Sequence, residues 1–260
     1  MKRTKKQKTD TRPDIRPMTE QEYRQAPGIN ISSLKVMERS PAHYRAALDE
    51  PNESTAAQVF GTVLHAVVLE PTRECYVIRP EGMKFTTSEG KAWRDSQTLP
   101  ILDVDDDCRI KSMLVRLHEH PIVSSLLKSA QTEVACFGTH ANGLQIKGRI
   151  DILAKYKKKV VIADIKTTDD ASPMAFDRSV RKYRYDRQAA FYLDLTGSDR
   201  FLFVAVEKEA PFAVAVYELS QQMIERARRD NDLDLRTLKK CMETDVWPAY
   251  GEQVHELNGF

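Results

Sequence analysis

The feature that most constrains the fold of this chain is a stretch of β-type sequence between residues 133 and 166. Three runs rich in apolar and β-branched residues, 133–137, 144–154 and 160–166, are separated by short polar segments. Asn142-Gly143 is a strong turn signal, and the lysine run at 157–159 marks the second break. The pattern therefore predicts a meander of three strands.

Apolar residues recur at helical spacing on both sides of these strands. We predict helices from the candidate caps Ser32 and Ser33 to about residue 40, and at 41–48, 54–70, 110–129, 184–195 and 221–242, with further strands at 201–206 and 212–217. Residues 80–108 mix charged and turn-forming residues and are interpreted as peripheral. Helices that flank a mixed central β-sheet predict an α/β fold.

Charge is distributed unevenly along the chain. Residues 1–17 hold seven basic and two acidic residues, and because the whole chain is at +2, the remainder is at −3. We expect residues 1–17 to be a disordered basic arm and residues 18–260 to form one domain. The arm has two open interpretations, a DNA-phosphate contact or plain solubilising disorder.

Several classes of protein are disfavoured by the composition. Cys75, Cys108, Cys136 and Cys241 lie far apart without a CxxC pair, so free buried thiols are favoured over a zinc or iron–sulfur site. No apolar run approaches the roughly 20 residues of a membrane span, and the basic N-terminus has no apolar stretch behind it. We therefore expect a cytoplasmic protein that makes no membrane contact.

Three charged residues at the ends of two predicted strands carry the most chemical information. Asp164 and Lys166 are two residues apart and share one strand face, and a hairpin turn at 155–159 would bring Asp151 alongside Asp164. Two carboxylates and an ammonium suit metal-assisted phosphodiester hydrolysis. The alternative is a surface Asp/Lys cross-strand pair, which is the favoured interpretation for the DxK spacing alone.

Other residues could join this group, although each has a plainer interpretation. His65 lies in mid-helix four residues after Gly61, where a histidine is more often a satisfied core residue than a ligand. Gln188 and Tyr192 are spaced i, i+4 on one helix face, and Glu133 opens the strand before the hairpin. Glu133 could add a carboxylate near the metal or merely face solvent.

In this order, the motifs Gly61…His65, Glu133, Gly148…Asp151, Asp164-Ile165-Lys166-Thr167-Thr168 and Gln188…Tyr192 resemble those of the RecB-like branch of the PD-(D/E)XK nucleases, most closely the nuclease domain of RecE-type exonucleases. The resemblance covers about residues 29–250. It implies a PD-(D/E)XK (restriction-endonuclease-like) core that uses Mg²⁺, with Mn²⁺ as a substitute and two ions per site.

The resemblance also implies roles for individual residues. The metal ligands would be His65, Asp151, Asp164 and the Ile165 carbonyl, and the catalytic set would be Asp151, Asp164, Lys166, Gln188, Tyr192 and Glu133. Within that set Lys166 is the catalytic lysine. Gln188 and Tyr192 occupy a QxxxY motif that contacts substrate, and Glu133 stands at the position of a nearby acidic residue.

The activity implied by the resemblance is a 5′ to 3′ exonuclease that enters at double-stranded DNA ends and leaves 3′ overhangs for recombination. The expected partners are a RecT-like single-strand annealing protein and further copies of the chain in a toroidal homo-oligomer, expected to be a tetramer. Such a protein would suit a phage recombination module. Two alternatives stay open, a DNA endonuclease on the same core and a non-catalytic DNA-binding or assembly protein.

A basic cluster precedes and enters the helix that carries Gln188. Its members, interleaved with Tyr185, are Arg178, Arg181, Lys182, Tyr183, Arg184 and Arg187. Five cations and two tyrosines beside the active-site helix favour contacts with the DNA backbone and an end base. The alternative is a solvated loop and helix face.

Overall fold

The computed structural model describes residues 13–49, 55–254 and 256. The predictions for the basic residues up to Arg12 and for Ser54 lie outside these residues. The strands are β1 (Asp14–Pro17), β2 (Val77–Ile78), β3 (Ile101–Leu102), β4 (Gln131–Thr139), β5 (Gln145–Tyr156), β6 (Lys159–Thr168), β7 (Arg200–Glu207) and β8 (Val214–Glu218). The helices are α1 (Glu20–Gln25), α2 (Ile31–Leu34), α3 (Pro41–Asp49), α4 (Ala56–Leu69), α5 (Ser88–Ser96), α6 (Val104–Glu119), α7 (Pro121–Lys128), α8 (Pro173–Tyr183), α9 (Tyr185–Thr196) and α10 (Gln221–Thr244). A 3₁₀ turn, Lys35–Glu38, follows α2.

Six strands form the central sheet in the order β1-β4-β5-β6-β7-β8. Strands β4, β5 and β6 are antiparallel neighbours, which confirms the predicted meander. Its second turn consists of Lys157 and Lys158 alone, and both have the positive φ that a two-residue hairpin turn of type I′ requires. Strand β7 then pairs parallel to β6 after the chain crosses over through α8 and α9. The predicted mixed α/β fold is confirmed.

The sheet is covered on both faces, as the alternation of its buried residues requires. One core contains Ile162, Phe203 and Ala205 and is closed by α2, α8, α9 and α10. The other contains Val161, Ala163 and Ile165 and is closed by α4, α6 and α7. Ile150 packs in the first core and Ile152 in the second. Residues two apart in a regular strand lie on the same face, so the alternation of faces along β5 is broken at Asp151.

The predicted helix at 110–129 is wrong in its boundaries. The chain forms α6 and α7, which are separated at His120, because Pro121 has no amide proton to continue a helix and occupies the first turn of α7. Helix α6 begins earlier, at Val104, since the Asp103 side chain accepts a hydrogen bond from the Asp106 amide and caps the helix. The aspartates at 105–107 lie in its first turn, where the helix dipole favours negative charge.

Two further elements differ from the sequence-based expectation. Residues 173–183, which were not assigned to a helix, form α8 with Pro173 at its start. Residues 14–17, which were predicted to belong to a disordered arm, instead pair as β1 with residues 134–137 of β4. Edge pairing of this kind satisfies backbone groups of β4 that would otherwise lack strand partners.

Within the described residues, no helix combines the length and the apolar character that crossing a bilayer requires.

Candidate active site

The predicted acidic residues and His65 come together where the pairing between β5 and β6 ends, beneath α4. Helix α4 contributes His65, and β4, β5 and β6 contribute Glu133, Asp151 and Asp164. Helix α4 passes close to β6, since a Cβ on Gly61 would lie 3.8 Å from the Thr167 hydroxyl. The crossover between β6 and β7, which contains α8 and α9, brings Gln188 of α9 into contact with Asp164.

Both ring nitrogens of His65 have partners in the site. Nδ1 lies 3.2 Å from Asp151 Oδ2, and Nε2 donates to the Ile165 carbonyl at 2.7 Å. Burial disfavours the charged ring, but the Asp151 carboxylate, with Asp164 behind it, outweighs burial and raises the pKa of His65 to about 9. His65 therefore makes polar contacts with the site from both ring nitrogens, and its role as a metal ligand stays a prediction.

Glu133 stands across from Asp151 in an unusual backbone conformation. Its φ of 54° is left-handed, and regular pairing between β4 and β5 is interrupted at this residue while Thr132 and Val134 keep their partners. A non-glycine residue in this region is strained, by about 1–3 kcal/mol, and such strain is concentrated at functional sites. Burial, together with the Asp151 charge, raises the pKa of Glu133 to about 7, although Arg149 opposes that shift.

His65, Glu133 and Asp151 form the densest group of possible ligands among the described residues. Their ligand atoms all lie within 4.8 Å of one another. The Ile165 carbonyl lies next to this group, because it accepts a hydrogen bond from His65 Nε2. The motif resemblance implies that this carbonyl is a further metal ligand. Two carboxylates, a carbonyl and an imidazole are a donor set that fits a divalent cation.

Asp164 stands apart from that group of three. Its Oδ2 lies 2.6 Å from Lys166 Nζ, and its Oδ1 accepts a hydrogen bond from Gln188 Nε2 at 2.6 Å. Burial, with the nearby Asp151 charge, raises the pKa of Asp164 against the effect of Lys166. The Asp164 carboxylate is therefore held between Gln188 of α9 and Lys166 of its own strand.

Asp151 and Asp164 nevertheless belong to one electrostatic unit. The pairing of β5 with β6 ends at Ile152 and Ala163, the residues that adjoin the two aspartates. Beyond that point the Ile165 amide donates to Asp151 Oδ2 at 3.2 Å. Burial opposes ionisation of Asp151, but the His65 charge outweighs it and lowers the pKa of Asp151.

Tyr192 on α9 packs against β5, the strand that carries Asp151. It is buried, and a Cβ on Gly148 would lie 2.7 Å from its ring, closer than real Cβ atoms approach. Gly148 therefore allows the ring to pack directly on β5. The implied contact between Tyr192 and substrate does not match this buried position, because the ring is covered by the strand that carries Asp151.

The basic cluster divides into two groups. Arg187 is 1% exposed, and its guanidinium bonds to Asn231 at 2.8 Å and to Asp234 at 2.6 Å on α10. Arg184 contacts carboxylates of Glu38, Asp186 and Asp230. The DNA-binding prediction is wrong for Arg187, and Arg184 is engaged in the same packing of α9 on α10, because both cations neutralise carboxylates within the fold.

The remaining members of the cluster face solvent along α8. They are Arg178, Arg181, Lys182 and Tyr183. Among the residues that the structure describes, Arg181 pairs only with Asp177, one helical turn away, and its side chain is 74% exposed. These side chains are free to contact a ligand.

A groove of about 590 Å³ opens over the site and is lined by His65, Glu133, Arg149, Lys166 and Tyr185. Residues 98–100 form part of its wall, so the peripheral interpretation of residues 80–108 is wrong for this segment. The pair of short parallel strands β2 and β3 anchors it, a contact between distant residues that local sequence did not indicate.

Two site residues, Arg149 and Tyr185, were not predicted. Arg149 Nε lies 2.7 Å from Glu133 Oε2, and Lys166 Nζ lies 4.8 Å from the centre of the Tyr185 ring. The strand period was a usable signal for Arg149, because it lies two residues before Asp151. Tyr185 was noticed only as part of the basic cluster.

Three solved structures are similar to the chain to different degrees, and the first of them shares its fold. A protein from Eubacterium rectale, assigned provisionally as an exonuclease, is similar with a TM-score of 0.64 and 15% identity, over 92% of this chain and 91% of that chain. The phage related exonuclease from Haemophilus somnus 129PT has a TM-score of 0.37 and 12% identity, over 86% and 99% of the two chains. LHK-Exo, solved in complex with dAMP, has a TM-score of 0.40 and 13% identity, over 84% and 90%.

Sequence comparison identifies the family. No curated protein matches the chain. Residues 30–258 match the model of a PDDEXK-like domain of unknown function (DUF3799), and this range includes all of the site residues described above. The superfamily predicted from the ordered motifs is therefore confirmed, and the chain belongs to this family of PDDEXK-like domains.

Proposed function

We propose that the protein is a Mg²⁺-dependent exonuclease that degrades one strand of double-stranded DNA from its end. The observation that carries this proposal is the group of His65, Glu133 and Asp151 next to the Asp164–Lys166 pair at 2.6 Å, with His65, Glu133 and Lys166 lining one groove. A structural ion pair would not need a strained acidic residue beside it. The fold shared with the Eubacterium rectale protein, provisionally an exonuclease, supports the same reaction class.

The chain supplies most of what hydrolysis requires. A divalent cation held by the carboxylates would polarise the phosphate and lower the pKa of a bound water. Asp164 fixes the ammonium of Lys166 beside the groove, where it can orient the attacking water and neutralise charge that develops on the phosphate. Gln188 holds the other oxygen of Asp164 and so limits its rotation.

The finer activity follows the motif resemblance to RecE-type exonucleases. We propose 5′ to 3′ degradation that leaves 3′ overhangs for recombination by strand annealing, with a RecT-like partner in the cytoplasm. We further propose a toroidal homo-oligomer, a tetramer, that encloses the DNA, with two ions per site and Mn²⁺ able to replace Mg²⁺.

The test uses end-labelled linear duplex, nicked circle and closed circle, each incubated with and without Mg²⁺. We expect release of the 5′ label from linear duplex only when metal is present. Asp164→Ala and Lys166→Ala should each lower the rate by at least about 10²–10³-fold. Equal activity in these variants and in Arg236→Ala, a control on the exposed face of α10, would refute the site.

The same assay separates the two alternatives. Cleavage of the closed circle identifies an endonuclease, because a closed circle offers no end. DNA binding without hydrolysis in either metal identifies a non-catalytic protein that retains the fold.

A further inference from the structure

The hairpin of β5 and β6 ends in a tip, residues 155–159, that carries four lysines and is called the lysine tip below. Strand β4 pairs with β5 only as far as Leu153, and β7 begins its pairing with β6 at Val161. Beyond those residues the hairpin continues for two further pairs. The lysine tip therefore extends past both neighbouring strands of the sheet.

The charge of the lysine tip is not neutralised by its surroundings. All four of its lysines are exposed, namely Lys155, Lys157, Lys158 and Lys159. In the part of the chain that the structure describes, no carboxylate oxygen lies within 4.0 Å of their ammonium groups. Two acidic residues at the base of the tip have other partners, since Asp199 accepts from the Val160 amide at 2.9 Å and Glu218 binds Arg200 at 2.8 Å.

A fifth cation stands beside the tip. The Ser129 hydroxyl donates to the Lys155 carbonyl at 3.2 Å, and this contact fixes the end of α7 against the hairpin. Lys128, the last residue of α7 and the chain neighbour of Ser129, is exposed as well. The result is a compact basic surface on a two-stranded projection.

The turn at the centre of the lysine tip is built from residues that do not suit its backbone. Lys157 and Lys158 have φ values of 48° and 67°, in the left-handed region that residues with a Cβ disfavour. Two-residue turns of this type favour Asn-Gly, and the same meander has Asn142-Gly143 in the turn between β4 and β5. A turn that only had to be soluble would be less strained with that pair. Two lysines at these positions are better explained by what their charge contacts.

We propose that the lysine tip is a DNA-binding surface away from the active site, which holds backbone phosphates of the duplex whose end is being degraded. This inference rests on the proposed nuclease function and deepens it by naming where the duplex is held. Asp151 and Lys157 are six residues apart along β5 and its turn, or about 20 Å at 3.3 Å per residue. At 3.4 Å per nucleotide, that length corresponds to about six base pairs from the end.

The composition of the tip favours a nucleic-acid backbone over an acidic protein. Tyr156, its aromatic residue, packs against the core that α4, α6 and α7 close. Val160 at the base of the tip is 39% exposed, which is a small apolar area beside four ammonium groups. Protein interfaces generally have a larger apolar centre, whereas a duplex presents closely spaced phosphates whatever its sequence.

The experiment uses Lys157→Asn combined with Lys158→Gly, called the turn variant, because it removes two charges and also installs the favoured turn sequence. We expect the melting temperature to rise by about 2–4 °C as strain in the turn is relieved. We expect binding of an end-labelled duplex to weaken, measured by fluorescence anisotropy with Ca²⁺ in place of Mg²⁺ so that DNA is bound without turnover. The slope of log affinity against log salt should fall by about 1.8, so the advantage of wild type should shrink about tenfold between about 50 and 200 mM salt.

Two controls accompany the turn variant. Arg226→Gln combined with Lys240→Gln, on the exposed face of α10, is the matched loss of two cations elsewhere. Lys157→Arg combined with Lys158→Arg keeps the charge in the same turn and should bind within about twofold of wild type. If the turn variant binds DNA as tightly as the α10 control, the lysine tip makes no DNA contact and the proposal is wrong.

A second measurement tests the position of the contact. A duplex that carries uncharged methylphosphonates at the fifth to eighth phosphates from its end should lose more affinity for wild type than for the turn variant, because the variant lacks the cations that meet those phosphates. Equal losses with the two proteins would place the lysine tip away from this part of the duplex and overturn the proposal.

The other possible occupant of the tip is a second copy of the chain. If the turn variant dissociates a homo-oligomer in sedimentation while its DNA affinity stays that of wild type, the tip is a protein contact and the proposal fails. Absence of hydrolysis by wild type with Mg²⁺ or Mn²⁺ would instead refute the nuclease function, so the two failures are distinguishable.

Discussion

Glu133 on β4 lies directly across from Asp151 on β5, and the left-handed backbone of Glu133 interrupts strand pairing at that single pair of residues. The same distortion brings the Glu133 carboxylate into the group formed with His65 and Asp151. Backbone strain and ligand placement are therefore linked in one residue.

This linkage predicts that two substitutions of Glu133 will differ in stability but not in metal binding. Glu133→Gly and Glu133→Ala both remove the carboxylate, but only glycine adopts the observed φ of 54° without strain. We expect the glycine variant to be more stable than the alanine variant by about 1 kcal/mol, or about 2–4 °C in melting temperature. Both should lose Mn²⁺ affinity equally in calorimetric titrations. An alanine variant as stable as the glycine variant would show that the backbone is not strained.

The raised pKa of His65 predicts a pH-dependent stability in the absence of metal. Its folded-state pKa of about 9 exceeds the ordinary 6.5, so the folded protein binds the proton more tightly than the unfolded chain. The stabilisation is present in full below pH 6.5 and is lost as pH rises to about 9. Urea unfolding in a chelator should show a difference between wild type and His65→Gln that shrinks over this range. A constant difference would argue against the charged pair with Asp151.

The contact between Gly148 and Tyr192 predicts a steric coupling. A Cβ at Gly148 would meet the Tyr192 ring at 2.7 Å, so Gly148→Ala should destabilise the fold by about 1–3 kcal/mol through overpacking. Tyr192→Leu removes the ring, and the double variant should recover part of that loss. Strictly additive effects in a denaturation cycle would contradict direct packing of the ring on β5.

The two groups of the basic cluster predict different phenotypes. Arg187→Ala leaves Asp234 without its buried partner and should destabilise the protein by about 3–5 kcal/mol. Replacing both Arg181 and Lys182 by alanine should leave the melting temperature nearly unchanged and weaken DNA binding. The slope of log affinity against log salt should fall by about 1.8, the value for two phosphate contacts. DNA binding that is unchanged across a salt titration would remove α8 from the interface.

Local sequence determined the strands and much of the chemistry. Alternation along 144–166 and the turn at Lys157 and Lys158 were sufficient to predict the hairpin that places Asp151 near Asp164. The placement of Val161, Ala163 and Ile165 on one buried face also followed from the period of two. These features depend on residues close in the chain, so their pattern is visible in the sequence.

Tertiary structure decided which charged groups serve the site. The sequence could not show that the Arg187 guanidinium is bonded to Asn231 and Asp234, or that the Tyr192 ring packs under β5. Both contacts depend on how α9 packs. It also could not show that Asp164 is held by Lys166 and Gln188 while Glu133 completes the ligand group. A residue's type sets what it can bind, but the partners available to it are set by elements far apart in the chain.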